Sequence, residues 1–411
     1  MKNILLIVLV SLSCITLAQS NSDVAKRIDS LLLSRYNKGL FNGSLLIQKE
    51  GEVIYKRSLG WANIEKRDTL KLNYPMRIAS ITKTYTAVCI LQLVDKGLIN
   101  LHEDIHTYIP EIEKTGITIH HLLSHSSGIS YINGGNHFRK MKKYQRERGG
   151  NRWVNEDVLS YFKEFKPKQR AIPGEEHSYS NISFTILGSL IERLSGKKYS
   201  EYLSENIFKP CNMNNSFLYL PNDTNDNPEK VLSYRLKKGK FKYIPVYYKY
   251  KKNGDLKYSD DFYGDKYICS TVEDMNHFNT ALLNGKLISN ELLEKMKTPV
   301  LLNNGKPSHD LYGYGLSQIE FNDSMYYDHG GYIAAFEAIN MFSDSGLQIV
   351  LLMNIETGEY FELYYALMSI LQNKGELKMY GPNSTVMTKN KEKFQPIFEK
   401  THKINYKLLY E

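Results

Sequence analysis

The chain predicts an α+β fold in which one antiparallel sheet is flanked by terminal helices and interrupted by an inserted all-helical subdomain. Three observations carry that prediction. Alternating apolar runs occur near both ends, the central stretch has mainly helical spacing, and amphipathic segments lie outside both strand-rich blocks.

The elements follow in chain order. Met1-Lys2-Asn3, the apolar run Ile4 to Val10 and Thr16-Leu17-Ala18 have the charge, core and small residues of an export signal, so residues 1–18 are expected to be cleaved after Ala18. Cys14 invites a lipoprotein reading, but Ser11-Leu12-Ser13 places leucine one position late for it. Asp23 to Lys38 carries Val24, Ile28, Leu31, Leu32 and Tyr36 at the spacing of an amphipathic helix. Ser44 to Gln48 and Val53 to Leu59, around Lys49-Glu50-Gly51-Glu52, read as a hairpin.

From Ser80 to about Asn214 the pattern is mainly helical, punctuated at Gly128, Gly134-Gly135, Gly149-Gly150 and Pro173-Gly174. Arg235 to Lys257 alternates lysines with tyrosines about Lys238-Gly239, the pattern of a solvent-facing hairpin. A second strand-rich block begins near Tyr263. It includes Tyr312 to Leu316, Ala334 to Phe342 and Leu347 to Asn354, with a strand from Tyr332 to Ile339, and the helix Tyr360 to Leu371 closes it. The expected catalytic unit spans 19–372, with an α/β part at about 23–79 and 262–372 and a helical insert at about 80–261. Residues 373–411 form a polar, lysine-rich tail.

Composition bounds the function. The 411 residues are 42% hydrophobic and 24% charged, enough to bury a large core. The formal charge of +9 falls to +8 when Lys2 leaves with the leader. Basic residues interleaved with tyrosines can bind nucleic acid, but an exported protein rarely meets any; attraction to anionic wall polymers or acidic substrates is the alternative use of that charge. Without Cys14, the three cysteines Cys89, Cys211 and Cys269 are an odd, widely spaced set, which argues against a disulfide framework or a metal site. No later apolar stretch has the length of a membrane span, so a periplasmic or secreted protein without integral membrane association is expected.

Three short motifs carry chemistry. Ser80-Ile81-Thr82-Lys83, ahead of the apolar run Tyr85 to Val94, places an alcohol and an amine one helical turn apart. An amine whose charge is discouraged by burial can take the alcohol's proton. Ser195-Gly196-Lys197-Lys198 has the same spacing, but it follows the helical run Leu187 to Leu194 and its Gly196 marks a helix end. Tyr179-Ser180-Asn181, after Pro173-Gly174 and before the helix Phe184 to Leu194, can present a phenol and an amide together. Tyr131-Ile132-Asn133 repeats that spacing in a glycine-rich loop with no helix following. In Asp328-His329-Gly330-Gly331, the glycines let another backbone or a ligand approach a strand edge, and His329 is open to three roles: proton donor, hydrogen-bond donor to substrate, or turn residue.

Together these motifs resemble the serine β-lactamase and penicillin-binding superfamily, in particular its class C-like branch of β-lactamases, D-amino-acid peptidases and carboxylesterases. The resemblance runs from about Gly43 to Asn354. It also takes in His120-His121-Leu122-Leu123-Ser124-His125-Ser126-Ser127-Gly128, Ile207 to Met213 and Tyr312-Gly313-Tyr314-Gly315. It implies that Ser80 is the acylated nucleophile, that Lys83 and Tyr179 share the base role, and that Asn181 orients the substrate amide and Lys83. The backbone N–H groups of Ser80 and Tyr332 would form the oxyanion hole beside Gly330 and Gly331, and His329 would stand at the third motif, which is Lys-Thr-Gly in the lactamases.

Histidine there removes a permanent cation, which argues against efficient β-lactam hydrolysis and for peptides or esters. Cys211 replaces the usual leucine as a packing change. His120, His121 and His125 tempt a metal reading, but the resemblance makes that segment a structural turn and helix. The implied activity is acyl-enzyme hydrolysis of an amide or ester, with no metal or organic cofactor. Its expected partners are a small peptide, ester or β-lactam and cell-wall peptidoglycan. A class C-like β-lactamase is the alternative enzyme, and a sensor acylated without turnover is the alternative outside enzymes.

Overall fold

The computed structural model describes residues 21–129, 144, 152–220, 231–237, 240–243, 248–250, 256–308, 310–358, 360–373 and 379–380. The leader, the Tyr131-Ile132-Asn133 loop and the tail beyond Tyr380 lie outside the described residues.

Helix α1 covers residues 21–37, as the spacing of Val24, Ile28 and Leu32 predicts. Strands β1 (Gly43–Lys49) and β2 (Glu52–Leu59) form the expected hairpin, with both turn residues, Glu50 and Gly51, at positive φ. The insert opens with helix α2 (Thr82–Asp95) and continues through α3 (Asn181–Ser195). It is mainly helical, but Tyr234–Lys237 pairs with Lys240–Tyr243, so the lysine and tyrosine alternation does make a hairpin. After helix α4 (Val272–Leu283), the chain returns to the sheet as β3 (Ser317–Phe321), β4 (Ser324–Ile333), β5 (Phe336–Phe342) and β6 (Gln348–Met353). Helix α5 (Tyr360–Leu371) follows, and β7 (Met379–Tyr380) seats the start of the expected tail as an edge strand on β3. The seven strands lie in the order β7-β3-β4-β5-β6-β1-β2, every pair antiparallel.

Period-two alternation divides the core between two faces. Leu45, Ile47, Ile349, Leu351 and Met353 pack with Ile28 and Leu32 of α1 and Leu363 and Leu367 of α5. Leu46, Val350 and Leu352 turn the other way, toward Met275, Phe278 and Leu282 of α4 and the core of the insert. α2 is therefore buried almost all round, and its Tyr85 stacks on Phe278 with ring centroids 4.0 Å apart.

Two expected strands are corrected. The run from Tyr332 to Ile339 is the end of β4, a two-residue turn and the start of β5, because Ala334 and Ala335 both adopt positive φ. Alanine carries no turn signal, and the left-handed conformation costs it roughly 1 kcal/mol or more. Burial of both alanines and a hydrogen bond from Ser233 Oγ to the Ala334 carbonyl hold the turn. Tyr312 to Leu316 is not a strand either, apart from one bridge between Tyr312 and Ser317. Its glycines serve close approach instead: Gly315, at φ +71°, lies against the Lys83 carbonyl, and its own carbonyl accepts from Thr84 Oγ1 at 2.7 Å.

Candidate active site

Met76–Arg77 pairs with Ile268–Ser270, and the buried Arg77 guanidinium lies over the rings of Tyr219 and Tyr267 at 4.6 and 5.4 Å. This anchors the chain just before Ser80. Ser80 sits not in α2 itself but on a 3-10 turn, Ala79–Ile81, ahead of it, and Ala79 is held at φ +49°. A non-glycine residue in that region marks stored strain, here at the residue preceding the serine.

Lys83 lies one turn further, fully buried. Its Nζ donates to Ser80 Oγ at 3.3 Å and to the Asp265 carbonyl at 3.0 Å, and stands 4.9 Å from the centre of the Tyr179 ring. Burial pulls its pKa down to about 7, with Asp265 opposing and Lys266 assisting. When the amine loses its proton, the same 3.3 Å contact can reverse, with the serine hydroxyl donating to nitrogen. The carbonyl that holds Lys83 comes from a segment that carries no motif of its own. Asp265 pairs with Lys266 at 3.1 Å and lies 182 residues from Lys83, beyond the reach of local spacing.

Tyr179 and Asn181 flank Ser180, the N-cap of α3, whose Oγ accepts from Ser183 N–H at 3.3 Å. The Tyr179 ring lies 4.2 Å from that of His125. His125 Nδ1 accepts from the Ser180 N–H at 3.1 Å, which leaves the ring proton on Nε2. Burial first, and then the nearby Lys83, hold this histidine well below its usual pKa, so it is a neutral platform under the tyrosine. Asn181 Oδ1 is a buried acceptor without a hydrogen-bond partner among the described residues. The bond from Lys83 to Asn181 that the resemblance implies is not made; Lys83 turns to Asp265 instead.

At the third motif both imidazole nitrogens of His329 are engaged. Nδ1 donates to the Gly330 carbonyl at 2.6 Å, and Nε2 accepts from Tyr312 O–H at 3.0 Å. Burial, reinforced by Lys83, lowers its pKa to about 3, so His329 is neutral throughout the physiological range. To donate to a substrate it would have to leave one of these partners. Tyr312 is the neighbour to which the sequence reading assigns no role, although it opens the Tyr312-Gly313-Tyr314-Gly315 motif.

Gly331 meets the serine turn so closely that a Cβ there would fall 2.2 Å from the Ile78 carbonyl oxygen. Tyr332 pairs with Glu337, one step from the two-residue turn, so the antiparallel alternation points its N–H away from β5. β3 pairs with β4 only as far as Asp328, which leaves that edge open beside Ser80. The Tyr332 hydroxyl donates to Glu356 at 2.7 Å and accepts from Arg235 at 3.1 Å. A cleft of about 230 Å³ runs between Tyr179, Asp310, Tyr312, Ser317, His329 and Gly330.

The other copy of the serine motif is elsewhere. Ser195 ends α3, is half-buried and accepts from Lys197 N–H at 3.2 Å, with Gly196 as the left-handed cap. Among the described residues, no group of three His, Cys, Asp or Glu side chains could hold a metal ion, and no helix is long and apolar enough to cross a membrane.

A strand-edged cleft against a Ser-x-x-Lys turn, carried on a sheet with a helical insert, is the arrangement of a serine hydrolase. The chain belongs to the Beta-lactamase family, whose profile matches residues 31–372, in its class C-like branch. It is 28% identical over 293 residues to penicillin-binding protein 4* of Bacillus subtilis, a match that covers 71% of this chain and 62% of that relative's length. Its fold is similar to that of an octameric penicillin-binding protein homologue from Pyrococcus abyssi, with TM-score 0.67, 24% identity and 87% and 78% of the two chains covered. D-amino acid amidase from Ochrobactrum anthropi SV3 superposes with TM-score 0.66, 20% identity and 86% and 100% coverage.

Proposed function

We propose that this serine hydrolase cleaves D-amino-acid-containing peptides or related carboxylic esters of the cell wall through an acyl-enzyme on Ser80. The observation that carries this reading is the 3.3 Å contact between Ser80 Oγ and a buried Lys83 amine whose pKa lies near 7. In this mechanism Ser80 Oγ attacks the carbonyl carbon while its proton passes to Lys83 Nζ. The Ser80 and Tyr332 N–H groups receive the oxyanion. As the bond from the carbonyl carbon to the leaving amine or alcohol breaks, Tyr179 gives that group its phenolic proton and takes one back from Lys83, and water then cleaves the ester bond to Ser80 and regenerates the hydroxyl. Asn181 Oδ1, buried and unpaired, accepts a substrate N–H.

The neutral His329 supports the preference for peptides and esters over β-lactams, because no fixed cation stands at the third motif to hold a lactam carboxylate. The leader pattern at residues 1–18 supports export to where such substrates occur. Labelling with a fluorophosphonate, peptide mapping, and turnover of D-alanyl peptides, p-nitrophenyl acetate and nitrocefin test the reading. Label on Ser80 with turnover of the first two is the expected result. Label elsewhere would overturn the mechanism, and stoichiometric acylation without turnover would make the protein a sensor.

A further inference from the structure

We propose that the buried ion pair of Asp265 and Lys266 is a positioning device for Lys83, in which the Asp265 carbonyl holds the amine while the Lys266 ammonium masks the Asp265 carboxylate; this rests on the acyl-enzyme reading above, with Lys83 as base. The segment clasps the first turn of α2. The Gly264 carbonyl accepts from Thr86 Oγ1 at 2.6 Å, the Asp265 carbonyl accepts from Lys83 Nζ at 3.0 Å, and the Ile268 N–H donates to Thr82 Oγ1 at 3.3 Å. Tyr267, between the ion pair and Ile268, adopts φ +80°, a conformation that a bulky residue keeps only where its surroundings impose it. The Arg77 guanidinium and the Lys266 ammonium both stand over its ring, at 5.4 and 5.0 Å.

A buried carboxylate beside a buried amine pairs with it and fixes it as an ammonium ion, which cannot take the serine proton. Here the carboxylate is engaged elsewhere. Lys266 Nζ lies 3.1 and 3.4 Å from the two Asp265 carboxylate oxygens, and the Asp265 side chain is only 1% exposed. Lys83 therefore meets the neutral carbonyl of the same residue, which orients the amine without demanding its charge. The groups facing Lys83 from other elements supply no competing charge: the Tyr179 ring stands 4.9 Å away, and burial keeps His125 and His329 neutral. Tyr199, on the Asp265 side, is kept protonated by burial, and its hydroxyl meets Thr86 Oγ1 at 2.6 Å. Asp265 and Lys266 are thus the opposed charges acting on Lys83 among the described residues, the first favouring the ammonium ion and the second the free amine.

NMR titration of the full-length protein, with carbon-13 at the ε position of its lysines, tests the proposal without turnover; the Lys83 signal is the one lost in Lys83→Arg. Asp265→Asn is expected to lower the Lys83 midpoint by about half a pH unit or more, and Lys266→Met to raise it by about as much, because each removes one of two opposed charges. The double variant should return toward wild type, and Lys266→Arg should leave the midpoint nearly unmoved. Water entering a loosened site would instead raise the midpoint in both single variants. Shifts of the same sign in those two variants, or a midpoint unmoved by either, would overturn the proposal. If Lys266→Met does not fold, the fall in Asp265→Asn and its reversal in the double variant decide the matter, and a double variant that keeps the whole fall overturns it. The pH dependence of fluorophosphonate labelling reads the base role of Lys83 separately. A limb near 7 with unmoved NMR midpoints keeps that role and removes the ion pair's, whereas flat labelling with opposed NMR shifts removes the base role alone.

Discussion

Ser80 and Ser195 share a sequence spacing and almost nothing else. One lies on a strained turn beside a buried amine, the other half-buried at a helix end. Ser80→Ala is expected to abolish fluorophosphonate labelling while changing stability by less than about 1 kcal/mol, whereas Ser195→Ala leaves labelling intact. Retained label in the first variant would reassign the nucleophile. Tyr179→Phe keeps the ring over His125 but deletes the hydroxyl, so turnover should fall by about two to four orders of magnitude with a smaller effect on binding.

Lys83 is expected to set the pH response. Its amine is competent as a base only when neutral, and burial brings that transition to about 7, so kcat/KM should rise with pH through a limb centred there. His329, neutral down to about 3, adds no limb of its own. A profile flat from pH 5 to 9 would remove Lys83 from the base role.

At the scale of elements, the contact between β4 and the Ala79–Ile81 turn governs the site. Gly331→Ala drives a methyl group into the Ile78 carbonyl, and overpacking of this kind typically costs 1–3 kcal/mol, so both a lower melting temperature and a loss of labelling are expected. Gly330→Ala meets the Tyr360 hydroxyl at 3.1 Å and the Ala338 carbonyl at 4.0 Å, and should be the milder change. Thermal melts of the two variants, with labelling rates, check the order.

The same region shows where the sequence was readable. The hairpin of β1 and β2 and the helix α5 were legible because alternation and spacing report burial on one face. The turn at Ala334-Ala335 was not, since its conformation is imposed by packing and by Ser233 rather than by turn residues. Ser80, Lys83 and Tyr179, carried by motifs, come together in the structure. Asp265 and the His177–Asp310 pair are supplied by tertiary contact and have no local signature, whereas Tyr312 stands in a legible motif whose contact with His329 only the fold supplies.

For the whole molecule, charge and cleft belong together. The surface is basic overall, but the cleft is lined by Asp310 and a neutral histidine, so net charge does not describe what the site receives. Wild type is expected to cleave a D-alanyl peptide or small ester far better than nitrocefin. A nitrocefin kcat/KM near the roughly 10⁶ M⁻¹s⁻¹ of a proficient enzyme would instead mark it as a lactamase.

The two terminal helices have a consequence for handling the protein. α1 and α5 cover the same face of the sheet, away from the core of the insert, and Arg27 at one end donates to Asn373 at the other at 3.1 Å. The start of α1 and the end of α5 therefore lie on one side of the sheet. A bead, a surface or a fused partner joined to a chain trimmed to residues 21–373 would be attached behind the sheet, on the face turned away from the insert.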